Sequence, residues 1–299
     1  MKADRKYFVA LAACVLSFGI MSCTEKVEVT DRGVMNFSAQ IGETATKVTE
    51  TSWDGDETVA LKAEYGESDV EVKAYMVVNA EGDMTVAEGT EPFQWYGNEF
   101  ALKAWYPYSV DGRIVLTDQR DADKFFGCDL LYCSVNVVQK DVTLHFQHKM
   151  CRVKCYIQYY EGYTKEQAAQ AKITFLGYGT VTYQDGEIVT EGEPNHEISS
   201  FTKAAEQNQD WFCAEAMMVP CEMWDKPMVK VEIGGDSYVY TPTQDGDNGR
   251  NTGVLTAGSR QEYFFNVNKG NYSLTVITDG INEWIPDDNS AVVPDPVQE

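Results

Sequence analysis

The chain of 299 residues has little of what catalytic and nucleic-acid-binding proteins need. It has only three histidines, and it contains no nucleophile-elbow serine, no glycine-rich loop before a helix and no HExxH motif. Basic residues are also scarce, since 24 lysines and arginines oppose 47 aspartates and glutamates, for a net charge of −23. Such an acidic surface repels phosphate backbones, so we expect no nucleic-acid partner. We also expect no cofactor, and an enzyme is the weakest of the functional hypotheses.

Long apolar runs are absent too, except for one near the start of the chain. Basic residues at Lys2, Arg5 and Lys6 precede an apolar run over residues 7–21, which is too short for a helix to span a bilayer core of roughly 30 Å. Ser22 and Cys23 close the run, which is typical of a bacterial lipoprotein signal. We predict that residues 1–22 are a signal peptide and that lipid on Cys23 anchors the chain in the outer membrane. The alternative is an ordinary secretory peptide cleaved elsewhere.

Six cysteines follow Cys23, and an exported chain is able to oxidise them. Cys151 and Cys155 cannot pair with each other on one regular strand, because a rise of ~3.3 Å per residue separates them by about 13 Å, beyond the ~7 Å limit. The cysteines therefore pair with partners elsewhere or remain buried free thiols. The six are Cys128, Cys133, Cys151, Cys155, Cys213 and Cys221.

The stretch from Asp141 to Ile157 has the longest alternation of apolar and polar residues in the chain. Its apolar residues occupy one parity up to Met150 and the other parity afterwards, and a strand changes face only by bulging, bending or leaving its sheet. We predict that this stretch joins two β-domains, with Phe146 in the first core and Val153 in the second. The predicted boundaries are 23–148 and 149–285 for the domains and 286–299 for a mobile tail.

Short strand patterns recur every ~8–12 residues and are separated by Gly- and Asp-containing turns. This spacing predicts an all-β chain of antiparallel sandwiches instead of a parallel sheet with crossover helices. Thr164 and Gln167 form a plausible capping box for one short helix ending near Lys172.

Three motifs have the appearance of ligand sites. His145, His148, Cys151 and Cys155 have spacing similar to that of zinc ligands, but His145 and His148 point to opposite faces of a strand, so we predict no metal site there. The acidic stretch 245–249 lacks the ligand spacing of a calcium loop, and we interpret it as a turn. Exposed aromatic residues offer stacking surfaces for sugars, although core packing explains tryptophans equally well; the candidates are Trp53, Trp95 and Trp211.

Several short motifs follow one another along the chain in a definite order and spacing. They are Phe37-Ser38-Ala39, Trp53-x-Gly55-Asp56, Ala104 to Tyr108, Asp129 to Leu131, Val142 to His148, Leu255-x-Ala257-Gly258 and Ile281-x-x-Trp284. Together they resemble the fimbrillin family, the lipoprotein-derived subunits of Bacteroidetes-type fimbriae, from the lipoprotein signal to about Trp284. The resemblance implies two tandem transthyretin-like antiparallel β-sandwich domains, lipoprotein export and assembly with other fimbrial subunits into homo- or heteropolymers at the cell surface.

In fimbrillins a trypsin-like protease removes the first strand, and a strand of the next subunit occupies the vacated groove. The resemblance places the first strand at residues 34–41, with Met35, Phe37, Ala39 and Ile41 on its apolar face, and the cleavage site at Lys47. The candidate donors are the hairpin of residues 263–276 and the tail from Pro286. The resemblance implies a stalk, tip or anchor subunit of an adhesive fimbria. The alternatives are an uncleaved chain and a monomeric outer-membrane lipoprotein that binds glycans. The partner outside the fimbria would be a host or glycan ligand.

Overall fold

Alternating apolar residues and frequent Gly turns give a strand-rich structure. The structure is a computed structural model that describes residues 32–42, 53–66, 70–202, 212–244 and 253–283, with side chains described as far as Val276. The strands are β1 (Gly33–Val34), β2 (Asn36–Ile41), β3 (Thr58–Glu64), β4 (Val70–Val77), β5 (Met84–Val86), β6 (Gln94–Trp95), β7 (Phe100–Tyr106), β8 (Arg113–Val115), β9 (Leu131–Val137), β10 (Asp141–His148), β11 (Cys151–Glu161), β12 (Lys172–Gly177), β13 (Thr180–Gln184), β14 (Glu187–Thr190), β15 (His196–Ser199), β16 (Phe212–Met218), β17 (Val229–Ile233), β18 (Asp236–Tyr240), β19 (Ser259–Asn268) and β20 (Ser273–Glu283); the helices are α1 (Ala122–Phe126) and α2 (Lys165–Ala169).

The N-terminal half is built around one seven-stranded sheet, in the order β2-β10-β9-β7-β3-β4-β5. The sheet curls so that its two edges meet, where Ser38 of β2 bridges Asp83, the residue before β5. Alternate side chains of each strand point to the enclosed face, so this face holds the core. Its members include Phe37, Trp53, Leu61, Tyr75, Phe93, Leu102, Leu144 and Phe146.

The C-terminal half contains two four-stranded sheets, β16-β11-β19-β20 and β15-β12-β17-β18. Their facing sides share a second core, whose members include Val153, Cys155, Phe175, Ala216, Val231, Tyr240, Tyr263 and Phe265. Two sheets that bury one face each against the other form a sandwich. The predicted all-β sandwich class is therefore confirmed.

A third cluster of buried residues joins the two halves. It includes Ile114 of β8, Met150 and Tyr183 of β13. β8 lies in a three-stranded sheet with β13 and β14, so a strand of the first half completes a sheet of the second. The buried Gln119 side chain adds hydrogen bonds across the junction, donating to the Met217 carbonyl at 2.9 Å and accepting from the Met217 amide at 2.7 Å.

The 141–157 stretch forms two strands, β10 and β11, instead of one. Phe146 is fully buried in the first core and Val153 in the second, as the parity shift predicts. Met150, between the strands, is buried in the junction cluster, and the Lys149 amide donates to the Leu130 carbonyl at 2.7 Å. The shift of face therefore occurs where the chain passes from one sheet to the other. The 23–148 and 149–285 boundaries remain a prediction.

Two strand pairs are parallel, which the sequence did not predict: β2 with β10, and β11 with β19. The capping box is confirmed, since the Thr164 side chain accepts from the Gln167 amide and the Gln167 side chain accepts from the Thr164 amide. The helix ends at Ala169 instead of near Lys172, because Lys172 is the first residue of β12, where it pairs with Glu232 of β17.

Candidate functional site

The first strand, β2, lies at the edge of the seven-stranded sheet, and β10 is its neighbour in that sheet. The pairing is parallel and runs from Asn36 opposite Asp141 to Ile41 opposite Phe146. An edge strand has one neighbour in its sheet, so its loss leaves the other pairings of that sheet intact. The strands from β10 to β5 therefore retain their order when β2 is removed.

The predicted strand of residues 34–41 is interrupted at Met35, between β1 and β2, but the four residues predicted for its apolar face still lie together. Met35 is 3% exposed, Phe37 5% and Ala39 1%, and Ile41 is half-buried. The Phe37 ring packs edge-on against Tyr75, with ring centroids 5.2 Å apart. Phe93 lies on the same ring at 6.2 Å, also edge-on. Burial of each large apolar side chain is worth about 1.5–3 kcal/mol, so Met35 and Phe37 dominate the attachment of the strand.

Backbone hydrogen bonds hold both ends of the strand. The Met35 amide donates to the Phe93 carbonyl at 3.0 Å, and the Gly42 amide donates to the Phe146 carbonyl at 2.9 Å. Each such bond contributes about 1 kcal/mol net. The strand is therefore fixed along its whole length, by its apolar face and by its main chain.

The groove that holds the first strand has β10 on one side and the turn at Gly82 on the other. The Ala39 amide donates to the Gly82 carbonyl at 2.8 Å, and the Trp53 indole donates to the Ala39 carbonyl at 3.1 Å. Gly82 has a φ of +86°, and a Cβ there would lie 1.8 Å from the Ala39 carbonyl oxygen. A side chain at position 82 is thus excluded twice, by conformation and by space. The groove is tightest around Ala39.

Two tryptophans that the sequence offers as sugar-stacking candidates belong to the core. Trp53 is 3% exposed and packs edge-on against Phe146, with ring centroids 5.4 Å apart, and Trp95 is 6% exposed. Neither presents a face to solvent, so of the two explanations that the sequence leaves open for these positions, core packing is the correct one. Trp211 lies outside the described residues.

The cysteines of the 141–157 stretch and His148 take part in packing, whereas His145 is exposed. The six described cysteines after Cys23 are free thiols. Burial raises the pKa of the Cys151 thiol to about 12. The His148 side chain is mostly buried, with its Nδ1 atom 3.0 Å from an Asp129 carboxylate oxygen. Within the described residues, no group of three or more histidine, cysteine, aspartate or glutamate side chains is arranged to hold a metal ion.

Sequence reasoning missed a buried ion pair on one face of β11, the face opposite Cys151, Val153 and Cys155. The Arg152 side chain donates from Nε to Glu215 at 2.7 Å, and both side chains are 1% exposed. Burial is the largest single influence on the pKa of Lys154 and lowers it, but the Glu215 carboxylate 3.7 Å away, Cys213 and Tyr156 together outweigh burial, so the pKa is raised. The signal in the sequence is the alternation of Arg152 and Lys154 with apolar residues on a strand that is buried on both faces.

The other predicted sites lie outside the described residues. These are the lipidation site Cys23, the processing site Lys47, the acidic stretch 245–249 and the tail 286–299. In the part of the chain that the structure describes, no helix is long and apolar enough to cross a membrane.

The model of the fimbrillin-like family matches residues 46–284 of this chain. The chain belongs to the fimbrillin-like family. Its resemblance to fimbrillins in sequence is therefore confirmed, and membership makes it a fimbrial or adhesin-like protein. No curated protein matches the chain.

Solved structures with a similar fold come from Bacteroides. A candidate cell adhesion protein from Bacteroides ovatus has a TM-score of 0.65 at 20% identity, over 86% of this chain and 100% of that one. A second, from Bacteroides uniformis, has a TM-score of 0.63 at 18% identity, over 84% and 99% of the two chains. At these identities the likeness shows a shared fold.

Proposed function

We propose that the chain is a structural subunit of an adhesive cell-surface fimbria, assembled by exchange of its first strand. Membership in the fimbrillin-like family supports the fimbrial role and favours a structural protein over an enzyme. The single observation that supports the exchange is the edge position of β2, which pairs with β10 and occupies a deep apolar groove.

The proposed cleavage after Lys47 would separate β1 and β2 from the strands that follow. The sheet strands that bound the groove, β10 and β5, lie on the C-terminal side of this bond and retain their other partners. Because Met35, Phe37 and the main-chain bonds together rival the ~5–15 kcal/mol stability of a domain, an empty groove favours capture of a replacement strand.

The groove specifies the strand that it accepts. The native strand places large residues at positions 35 and 37 and a small one at 39, where the Gly82 turn approaches most closely. An incoming strand needs the same large-large-small order at alternate positions and a parallel direction relative to β10. A strand shifted by one residue would turn polar side chains into the groove.

The position of β19 narrows the choice of donor in the C-terminal half. β19 lies between β11 and β20, and its Tyr263, Phe265 and Val267 side chains are buried in the second core. Its departure would dismantle that core. β20 is an edge strand, so we propose β20 with the residues after it as the donor, although three prolines in the tail limit pairing.

We further propose that Cys23 carries the lipid anchor and that cleavage at Lys47 releases the chain from the outer membrane. An uncleaved chain would stay tethered and act as an anchor subunit. A cleaved chain would enter the stalk or the tip. Changing Cys23 to Ala is expected to remove the chain from the detergent phase in phase separation.

The exchange is tested with a chain that begins at Val48 and a synthetic peptide of residues 32–42. We expect the peptide to bind and to raise the unfolding temperature of the truncated chain. A peptide with Phe37→Ala should bind at least tenfold more weakly, because it lacks the ring that fills the groove. A peptide with Gln40→Ala is the matched control, since Gln40 is exposed.

The form of this protein recovered from the cell surface distinguishes a fimbrial subunit from a monomeric lipoprotein. Fimbriae whose subunits begin at Val48 would support strand exchange. Polymers that retain residues 24–47 would contradict it. A chain found only as a lipidated monomer, with no ladder of polymers on a gel, would favour the glycan-binding lipoprotein instead.

A further inference from the structure

A cavity of about 410 Å³ lies on the N-terminal half, at the end of its core. In β4, Tyr75 and Val77 are buried in the core, and Glu71 and Lys73 continue the same face outward. One face of β4 therefore runs from the buried core at Val77 to the polar cavity at Glu71. The lining residues are Tyr65, Glu71, Lys73, Pro92, Gln94 and Tyr96.

The side chains around this opening are held in place from behind. The Tyr65 ring packs on Phe100, with ring centroids 4.7 Å apart. The Tyr75 hydroxyl accepts a hydrogen bond from the Phe93 amide at 2.9 Å, which ties the segment of residues 92–96 to β4. Tyr96 is 59% exposed, so it offers an aromatic face to solvent at the rim. Packing and hydrogen bonds therefore fix Tyr65 and the segment of residues 92–96, and the Tyr96 ring is accessible to a ligand.

The charges of the cavity are balanced internally. The Lys73 ammonium lies 3.0 Å from the Glu71 carboxylate, donates to the Pro92 carbonyl at 3.3 Å and sits 4.6 Å from the centroid of the Phe93 ring. Its side chain is 12% exposed. An ammonium so occupied does not serve as an anion site, and the net charge of −23 opposes anionic ligands further.

We propose that this cavity binds a neutral saccharide. Tyrosine rings present apolar faces to the C–H faces of sugar rings, and the carboxylate of Glu71 and the amide of Gln94 match the donors and acceptors of sugar hydroxyls. The volume lies at the small end of the 300–1,000 Å³ range of ligand sites, which suits one or two sugar rings. The cavity lies beside the assembly groove, because its lining residue Gln94 is in β6 and pairs with Val34 of β1.

The test uses the full chain and three neutral probes, cellotetraose, maltotetraose and mannotetraose, with sialyllactose as the acidic comparison. Binding is measured by titration and by saturation-transfer NMR. We expect at least one neutral probe to bind and sialyllactose not to bind. Tyr96→Ala should weaken the neutral interaction about tenfold, the scale of one lost aromatic contact.

Tyr272→Ala is the matched control, because Tyr272 is 61% exposed and lies on the C-terminal half. We expect it to retain the wild-type affinity, and the unfolding temperatures of both variants show whether they are folded. Glu71→Gln should weaken binding without loss of fold. Failure of all three neutral probes to bind, equal affinity in Tyr96→Ala, or tighter binding of sialyllactose than of the neutral probes would each overturn the proposal.

Discussion

The attachment of the first strand can be measured by truncating Phe37. Phe37→Ala removes a ring that is 5% exposed and contacts the rings of Tyr75 and Phe93 at 5.2 and 6.2 Å. Core Phe→Ala changes cost about 3–5 kcal/mol, and we expect the lower end, because an edge strand can relax into the space. A loss of about 3 kcal/mol raises the population of the undocked strand roughly a hundredfold.

The assay is native-state hydrogen exchange together with urea unfolding. Exchange should accelerate in β2 and along β10, its neighbour, while β11 and β19 in the other half keep their protection. Gln40→Ala on the same strand is the control, because its side chain is exposed. Equal exchange in the two variants, with no change in the urea midpoint, would show that Phe37 does not hold the strand.

Three further predictions follow from the described contacts. Gly82→Ala should destabilise the docked first strand, because the new Cβ would lie 1.8 Å from the Ala39 carbonyl oxygen; urea unfolding and exchange in β2 measure it. Glu215→Ala should cost about 3–5 kcal/mol in urea unfolding, because it leaves the Arg152 guanidinium buried without its carboxylate, and an unchanged midpoint would contradict this. Burial raises the pKa of Cys133 to about 11, so its thiol should resist labelling at pH 8 in the folded chain and react after unfolding. Because the unfolded thiol ionises first, near its ordinary pKa of 9.0, the free energy of unfolding should fall as pH rises from about 9 to about 11, and a Cys133→Ser variant should show a shallower fall.

Local alternation was sufficient to predict much of this fold. It identified the apolar face of β2 and the change of core between Phe146 and Val153, because both depend on which side of a strand a residue faces. It did not identify the parallel partner of β2 or the sheet that β8 shares with β13, because partners distant in the chain leave no local pattern. α1 was missed for a related reason, since its Asp121 cap lies in a short stretch that looks like a charged loop.

For the candidate sites too, the sequence shows the type of each side chain but not its burial or its distant neighbours. Trp53 has a side chain as suitable for a sugar as that of Tyr96, and composition does not tell which of them is buried. The cavity brings together residues 65, 71–73 and 92–96, which lie on three separate segments. The stacking of Tyr75 on Phe93 brings two of these segments, β4 and residues 92–96, together.

The two halves share a rule of pairing, and the difference between them explains why exchange is proposed for one alone. In each half the opening strand of the sheet pairs in parallel with a late strand, β2 with β10 and β11 with β19. β11 is also bonded to β16 on its other side, so it is central and its loss would split a sheet. β2 has in that position only the turn at Gly82 and the bridge to Asp83. Its loss would open a groove and leave every other strand of the sheet paired. Under the proposed cleavage after Lys47, the seven-stranded sheet would become a receptor for another strand, whereas release of the central β11 would split its sheet.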